Sequence, residues 1–273
     1  MRSTSSEKRE KRRFVVFTDM DDTLLDENYE YQDALPVLRA LKENNTPVIF
    51  CSAKTYGEQQ VYRKRMDLAH PFIVENGSAI YIPAGYFGEA RGRPTGDYEV
   101  LVLGIPSEQI RREIRLLIER FGIKSYCTMT EEEVARQMNL DRESAKLAMN
   151  RQFTETIIEA DQEALDVLSQ KFNLTFGGRA IEAAGKGADK GKAVRLLTDM
   201  YKEGGAVVSI GVGNSYNDEP MLRQVDIPVV VKNPDGRWVD LAIPGLRRAE
   251  GIGPKGWNES LRELVLGGAN EQR

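Results

Sequence analysis

The chain has 273 residues, enough for one large or two modest domains, and is 41% hydrophobic and 29% charged, as globular proteins are. A formal net charge of −4 argues against a nucleic-acid surface, which needs a basic stripe, and no segment approaches the roughly 20 apolar residues that span a bilayer. Cys51 and Cys127 have no metal-like spacing and make no disulfide framework, so a reducing cytoplasm is the expected location. The single histidine, His70, precedes Pro71 and reads as a loop residue, which disfavours histidine-based triads.

Residues 1–13 end in Ser-Glu-Lys-Arg-Glu-Lys-Arg-Arg and read as a disordered, solvated tail without the apolar stretch of a signal peptide. Phe14–Thr18 is an apolar run bounded by polar residues, the pattern of a buried strand. Ala34–Asn44 carries Leu35, Leu38 and Leu41 at helical spacing. Pro47–Cys51 is a second strand, Gly57–Met66 a helix and Phe72–Val74 a third strand. This alternation predicts a parallel sheet with right-handed crossovers. Pro83–Gly96 breaks the rhythm as a Gly- and Pro-rich excursion.

A strand at Glu99–Leu103 and an amphipathic helix at Ser107–Arg120 follow. Thr130 with Glu133 fits a capping box, and Asp141 an N-cap for a helix to about Met149. Phe153–Ile158 is strand-like, Gln162–Lys171 helical, and Leu174–Glu182 a strand bent at Gly177-Gly178. The block 84–185 therefore reads as an α+β unit inserted into an α/β domain formed by 14–83 and 186–273. In the latter, Asp189–Tyr201 is helical, Ala206–Val212 a strand, Asp218–Gln224 helical, Ile227–Val231 a strand and Trp257–Leu266 a closing helix.

Several strands end in polar groups. The first delivers Asp19, Asp21 and Thr23, the second Ser52 and Lys54, the third Glu75 and Asn76, and the strand at 206–212 Asn214, Asn217 and Asp218. Residues two apart on a strand share a face, so Asp19 and Asp21 are expected to point into one site. Paired carboxylates repel unless a cation or proton intervenes, and Mg2+ suits oxygen ligands and phosphate together. Ligands of open parallel sheets bind beyond the carboxyl ends of the strands, which gathers these residues at one edge. Lys190 at a helix start adds positive charge. A carboxylate nucleophile, a second carboxylate, a hydroxyl, an ammonium and a metal are the parts of phosphoryl transfer.

The Asp-x-Asp-x-Thr after a strand, Ser52, the isolated Lys190 and the Gly-x-Gly-Asn-x-x-Asn-Asp segment resemble the haloacid dehalogenase (HAD) superfamily of phosphohydrolases from residue 14 to about 232. The resemblance implies a Rossmann-like three-layer α/β core with a parallel sheet, and an inserted α+β cap of the Cof type. Cys-Ser-Ala-Lys-Thr at 51–55, Glu-Asn-Gly at 75–77, Gly-Gly-Arg at 177–179, Gly-Ala-Asp-Lys-Gly at 187–191 and Gly-Pro-Lys-Gly-Trp-Asn at 253–258 are similar to the mannosyl-3-phosphoglycerate phosphatase branch. By that resemblance Asp19 is the nucleophile and Asp21 the general acid and base. Ser52 and Lys190 hold phosphate, and Thr23 orders the loop. Mg2+ sits on Asp19, the carbonyl of Asp21, Asn214 and Asp218. The implied partner is a small phosphorylated sugar acid, with Arg179 a candidate for its carboxylate and Lys54, Glu75, Asn76 and Asn217 further substrate contacts.

Two residues depart from the family pattern: Asp22 stands where glycine is usual, and Asn214 where aspartate is usual. The loss of one negative charge at 214 predicts weaker metal affinity. A broader sugar-phosphate phosphatase, a phosphomutase and a degenerate phosphate-binding protein share parts of this pattern. A signalling receiver also surrounds a phosphorylated Asp with acids, a hydroxyl and a lysine, but is about half this length and has no cap. Taken singly, Asp218 is equally a helix cap, Gly177-Gly178-Arg179 a tight turn, Glu75-Asn76-Gly77 a hinge loop and Trp257 a core residue.

Overall fold

The computed structural model describes residues 12–177 and 180–267. Strand β1 (Arg13–Thr18) starts one residue before the expected boundary, because Arg13 is paired into the sheet opposite Val207. The remainder of the expected tail, 1–11, lies outside the described residues. Val15, Val16 and Phe17 are all fully buried, so the strand has no polar face, as expected of a parallel sheet covered on both sides. Helix α1 (Leu35–Glu43) buries Val37, Leu38 and Leu41. Strand β2 (Val48–Phe50) pairs in parallel with β1. Helix α2 (Tyr56–Arg65) begins with a reciprocal capping box between Thr55 and Glu58. Strand β3 (Phe72–Val74) adjoins this sheet through a parallel bridge between Cys51 and Ile73.

The stretch expected to be an excursion returns to the same edge. Strands β4 (Ala79–Pro83), β5 (Arg93–Thr95) and β6 (Tyr98–Val102) continue outward from β3 in the order β3-β4-β6-β5, all antiparallel. Strands β5 and β6, in the stretch that the sequence places in the inserted unit, thus extend this sheet, β6 pairing with β4 and β5 with β6. Antiparallel strands need no helical crossover, so the α/β rhythm that signals a parallel sheet is absent from them.

The insertion proper follows. Helix α3 (Ser107–Phe121), strand β7 (Lys124–Ser125), helices α4 (Glu131–Met138) and α5 (Arg142–Met149), strand β8 (Thr154–Glu159), helix α6 (Gln162–Lys171) and strands β9 (Phe172–Phe176) and β10 (Ile181–Gly185) form a second sheet ordered β7-β8-β10-β9. The caps at Thr130 and Asp141 are present as expected. The single bent strand expected over 174–182 is two antiparallel strands, with Leu174 opposite Ala183. Bend and hairpin carry the same glycine signal. Ile110, Ile114, Phe121, Ile157, Leu168 and Phe172 form the core beneath this sheet.

Helix α7 (Lys190–Glu203) and strand β11 (Val207–Gly213) resume the first sheet, whose order is β13-β12-β11-β1-β2. The helix expected at 218–224 is short, α8 (Glu219–Leu222). Strand β12 (Ile227–Lys232) is as expected, but β13 (Arg247–Ile252) is an edge strand whose sequence, Arg-Arg-Ala-Glu-Gly-Ile, has no apolar run to reveal it. Helix α9 (Gly253–Leu261) continues as π-helical turns through Leu266 and buries Trp257 completely. Among the described residues no helix is long and apolar enough to cross a membrane.

Candidate active site

The site forms where β1 and β11 end. The backbone N–H of Asp19 donates to Val212 at 2.9 Å, keeping this residue tied to β11 after β1 has stopped. The Trp257 indole donates to Thr18 Oγ1 at 2.9 Å, and that hydroxyl donates to the Asp19 carbonyl at 2.7 Å. The chain then turns, with the N–H groups of Thr23, Leu24 and Leu25 converging on the Met20 carbonyl. Asp21 is therefore not on the strand. It shares a cavity with Asp19 because of this turn, not through the two-residue alternation the sequence suggested. Asp22 has φ of 53°, left-handed backbone that favours glycine and that Asp tolerates better than most residues. Its place in a pattern that usually carries glycine thus has a backbone explanation.

Lys190, 2% exposed, donates to Asp19 Oδ1 at 2.9 Å and to Asp218 Oδ1 at 2.7 Å. Asp189 caps the same helix by accepting from the N–H of Lys192. The other Asp218 oxygen accepts from the backbone N–H groups of Asn214 and Ser215 at 3.0 and 3.1 Å. Thr23 donates to Asn214 Oδ1 at 3.0 Å, and Asn214 Nδ2 donates to Asn233 Oδ1 at 2.8 Å. Burial, then the facing Asp218 carboxylate, push the Asp19 carboxyl up to about 7 against the opposing pull of Lys190. Burial works against the Lys190 ammonium, but Asp19 and Asp218 outweigh it and hold its pKa above the ordinary lysine value.

Two carboxylates thus share one ammonium, an arrangement one positive charge short. Its hard oxygens, the carboxylates of Asp19 and Asp218 with the amide oxygen of Asn214 nearby, are of the kind a small divalent cation prefers. Among the described residues no three His, Cys, Asp or Glu side chains gather as a metal cluster, and the third side-chain oxygen here is an amide.

Ser52 is 1% exposed, and its Oγ accepts from the N–H of Lys54 at 3.3 Å. Lys54 Nζ lies 3.0 Å from Asp21 Oδ1 and 3.7 Å from Glu58 Oε1. These groups line a cleft of about 640 Å³ that also contains Asn217 and is closed on its far side by the insertion. From that side come Arg151 and Glu182, paired at 2.6 Å, and the 62% exposed ring of Phe176, while Tyr216 of the core is 65% exposed at the same cleft. Burial pushes the Glu182 carboxyl up to about 7 against the opposing Arg151.

Glu75 fits the alternative offered for residues 75–77, that of a hinge loop. Its carboxylate is fully buried and accepts from the N–H groups of Gln152, Phe153 and Thr154, and from the Thr154 hydroxyl at 2.7 Å. It is committed to the backbone of the insertion, so the expectation of a substrate contact at Glu75 is replaced by that of a clasp. Arg151 was missed by the sequence reading. It donates to Thr154 Oγ1 at 2.7 Å and to the Ala53 carbonyl at 2.8 Å, bracing the loop between Ser52 and Lys54. No local signal separates Arg151 from a surface arginine, since its partners lie about 98 residues upstream and 31 downstream. Arg179 lies outside the described residues.

The family model described as haloacid dehalogenase-like hydrolase matches residues 16–242. The chain is 39% identical to the glucosyl-3-phosphoglycerate/mannosyl-3-phosphoglycerate phosphatase of Persephonella marina, over 92% of this chain and 97% of that protein. It is 40% identical to the mannosyl-3-phosphoglycerate phosphatase of Pyrococcus horikoshii, over 80% of this chain and 90% of that one. A crystallographically studied phosphatase of the HAD superfamily from Bacteroides thetaiotaomicron superposes with a TM-score of 0.67 at 15% identity, covering 97% of this chain and 99% of its own, which shows a shared fold.

Proposed function

Because this chain belongs to the haloacid dehalogenase-like hydrolases, we propose that it is a Mg2+-dependent phosphomonoesterase that cleaves mannosyl-3-phosphoglycerate or glucosyl-3-phosphoglycerate to the glycosylglycerate and phosphate. The observation that carries the reading is the buried Asp19 carboxylate, held by Lys190 and faced by Asp218 at the floor of a cleft roofed by the insertion. The names of relatives that align over most of the chain supply the substrate.

In this mechanism the Asp19 carboxylate attacks phosphorus in line with the departing ester oxygen. The bond to that oxygen breaks, an aspartyl-phosphate forms, and Asp21 gives its proton to the leaving alkoxide. Asp21 then takes a proton from water, which attacks the same phosphorus and frees Asp19. Ser52 and Lys190 donate to the phosphoryl oxygens, and Lys54 orients Asp21 through their ion pair. Asp19, the Asp21 carbonyl, Asn214 and Asp218 would hold Mg2+, which supplies positive charge against the phosphoryl oxygens when bound. Among the described residues the cations that line the cleft are Lys54 and Arg151, ion-paired with Asp21 and Glu182 respectively.

The insertion from about 104 to 185 serves as the cap, with Glu75 as its clasp on the core. A cytoplasmic setting belongs to the same proposal, and Cys51 and Cys127 are both free thiols. The deciding experiment is a phosphate-release screen with Mg2+ in which both glycosyl-3-phosphoglycerates compete with simple hexose phosphates. Higher kcat/KM for the glycosyl-3-phosphoglycerates is expected. A preference for hexose phosphates would overturn the substrate assignment.

A further inference from the structure

Three consecutive residues, Glu75, Asn76 and Gly77, hold left-handed backbone, with φ of 50°, 56° and 87°. Two of them are not glycine, and such strained positions persist only where their surroundings enforce them. Here the enforcement is visible. The N–H of Glu75 donates to Lys54 at 3.1 Å and that of Asn76 to Ser52 at 3.0 Å. Gly77 lies so close to Asp189 that a Cβ would stand 2.3 Å from its carbonyl. The turn is wedged between the loop that carries Ser52 and the start of the helix that carries Lys190.

The backbone does not account for the Asn76 side chain. The residue is 6% exposed, and neither its amide nitrogen nor its amide oxygen has a hydrogen-bond partner among the described residues. Each such buried, unpaired group is destabilising, and native proteins rarely keep them without a use. If left-handed geometry were the whole requirement, glycine would meet it without the buried amide. The side chain borders two cavities. One holds Asp19 and Ser52, and the other, of about 430 Å³, is lined by Lys190.

We propose that the Asn76 carboxamide is a direct phosphoryl ligand, with Nδ2 donating to an oxygen of the bound phosphate ester between Ser52 and Lys190. This rests on the phosphatase reading above and adds a catalytic residue to it. The ammonium of Lys190 is shared by Asp19 and Asp218, so a neutral donor fixed in advance adds stabilisation to the developing phosphoryl charge without competing for that ammonium. A phosphoryl oxygen would complete the hydrogen bonding of this amide.

Two variants separate this role from a backbone role. Asn76→Gly keeps the left-handed turn and removes the amide, whereas Asn76→Asp keeps the shape and presents an anion. The readouts on the Mg2+-loaded full chain are Tm, kcat/KM for phosphate release, and the affinity of orthovanadate as a phosphoryl mimic. The glycine variant is expected to fold like the parent, to lose about 10²-fold in kcat/KM, and to bind vanadate at least about tenfold more weakly. The aspartate variant is expected to lose more. Parental turnover in the glycine variant, or lost turnover with parental vanadate affinity, overturns the proposal. If the glycine variant does not fold, parental vanadate affinity in the aspartate variant overturns it. A parent inert towards every phosphate ester would instead sink the phosphatase reading, so the two failures are distinguishable.

Discussion

Two buried ionic clusters, one at the floor of the cleft and one at its roof, differ in how completely they are satisfied. At the floor, one ammonium, that of Lys190, is paired with both Asp19 and Asp218, and the Asp19 carboxyl is pushed up to about 7 by burial and by its acidic neighbour. At the seam between insertion and core, Glu75 accepts from three backbone N–H groups and a hydroxyl, while Arg151 meets Glu182, Thr154 and the Ala53 carbonyl. The first cluster is left short of positive charge, and incoming ligands complete it. The second is nearly closed on itself and holds the two layers in register. An incomplete buried cluster is costly to the fold and useful for chemistry, whereas a complete one serves the reverse purpose.

Removing one member from each cluster should break this contrast most sharply. Asp19→Asn is expected to lower phosphate release by about 10³-fold or more, since the nucleophile is gone. Its Tm should not fall, because one of two mutually repelling carboxylates has become neutral. A large loss of Tm would show that the floor cluster holds the fold. Arg151→Met should do the opposite and cost about 3–5 kcal/mol in urea unfolding, by leaving Glu182 buried without its cation. Adding Glu182→Leu should recover most of that loss, and a double variant no more stable than the single one would refute the pairing.

Asn214→Asp sharpens the charge argument at the floor. It restores a third acidic oxygen beside Asp19 and Asp218, and Mg2+ affinity measured by titration calorimetry should tighten about tenfold, roughly 1.4 kcal/mol. Unchanged affinity would remove Asn214 from the ligand set.

A pH-dependent contribution belongs to His70, which lies outside both clusters and pairs with Tyr86 at 2.7 Å. Burial, aided by the Arg63 guanidinium, lowers its pKa to about 4 from 6.5. The fold therefore favours the neutral ring, so its contribution to stability is present above about pH 6.5 and fades as pH falls towards 4. The slope in that window should be at most about 1.4 kcal/mol per pH unit, and His70→Gln should flatten it. An unchanged Tm–pH curve in that variant would refute the assignment.

The site was legible where one short segment carries both a strand and its terminal chemistry. Asp19 after β1, Ser52 after β2 and Asp218 after β11 all line up because a buried parallel strand announces itself by apolar residues and ends where ligands bind. Asp21 reached the expected cavity for a different reason, the turn on the Met20 carbonyl. Glu75 could be read as a substrate contact or as part of a hinge loop, and only its four donors, all from residues 152–154, separate the two. Strand β6 was read as a strand but grouped with the insertion, because an antiparallel return lacks the helical crossover that marks a parallel sheet, whereas the edge strands β5 and β13 were missed because they lack an apolar run.

The sequence by itself determined the reaction class, because the types and order of the carboxylates, hydroxyl and ammonium follow strands that local hydrophobicity defines. Tertiary structure alone decided which charged groups serve chemistry and which hold the molecule together. Asp19 and Glu75 are both buried acids after strands, and only the partners that folding brings to each, a single shared ammonium or a ring of backbone donors, set their different tasks.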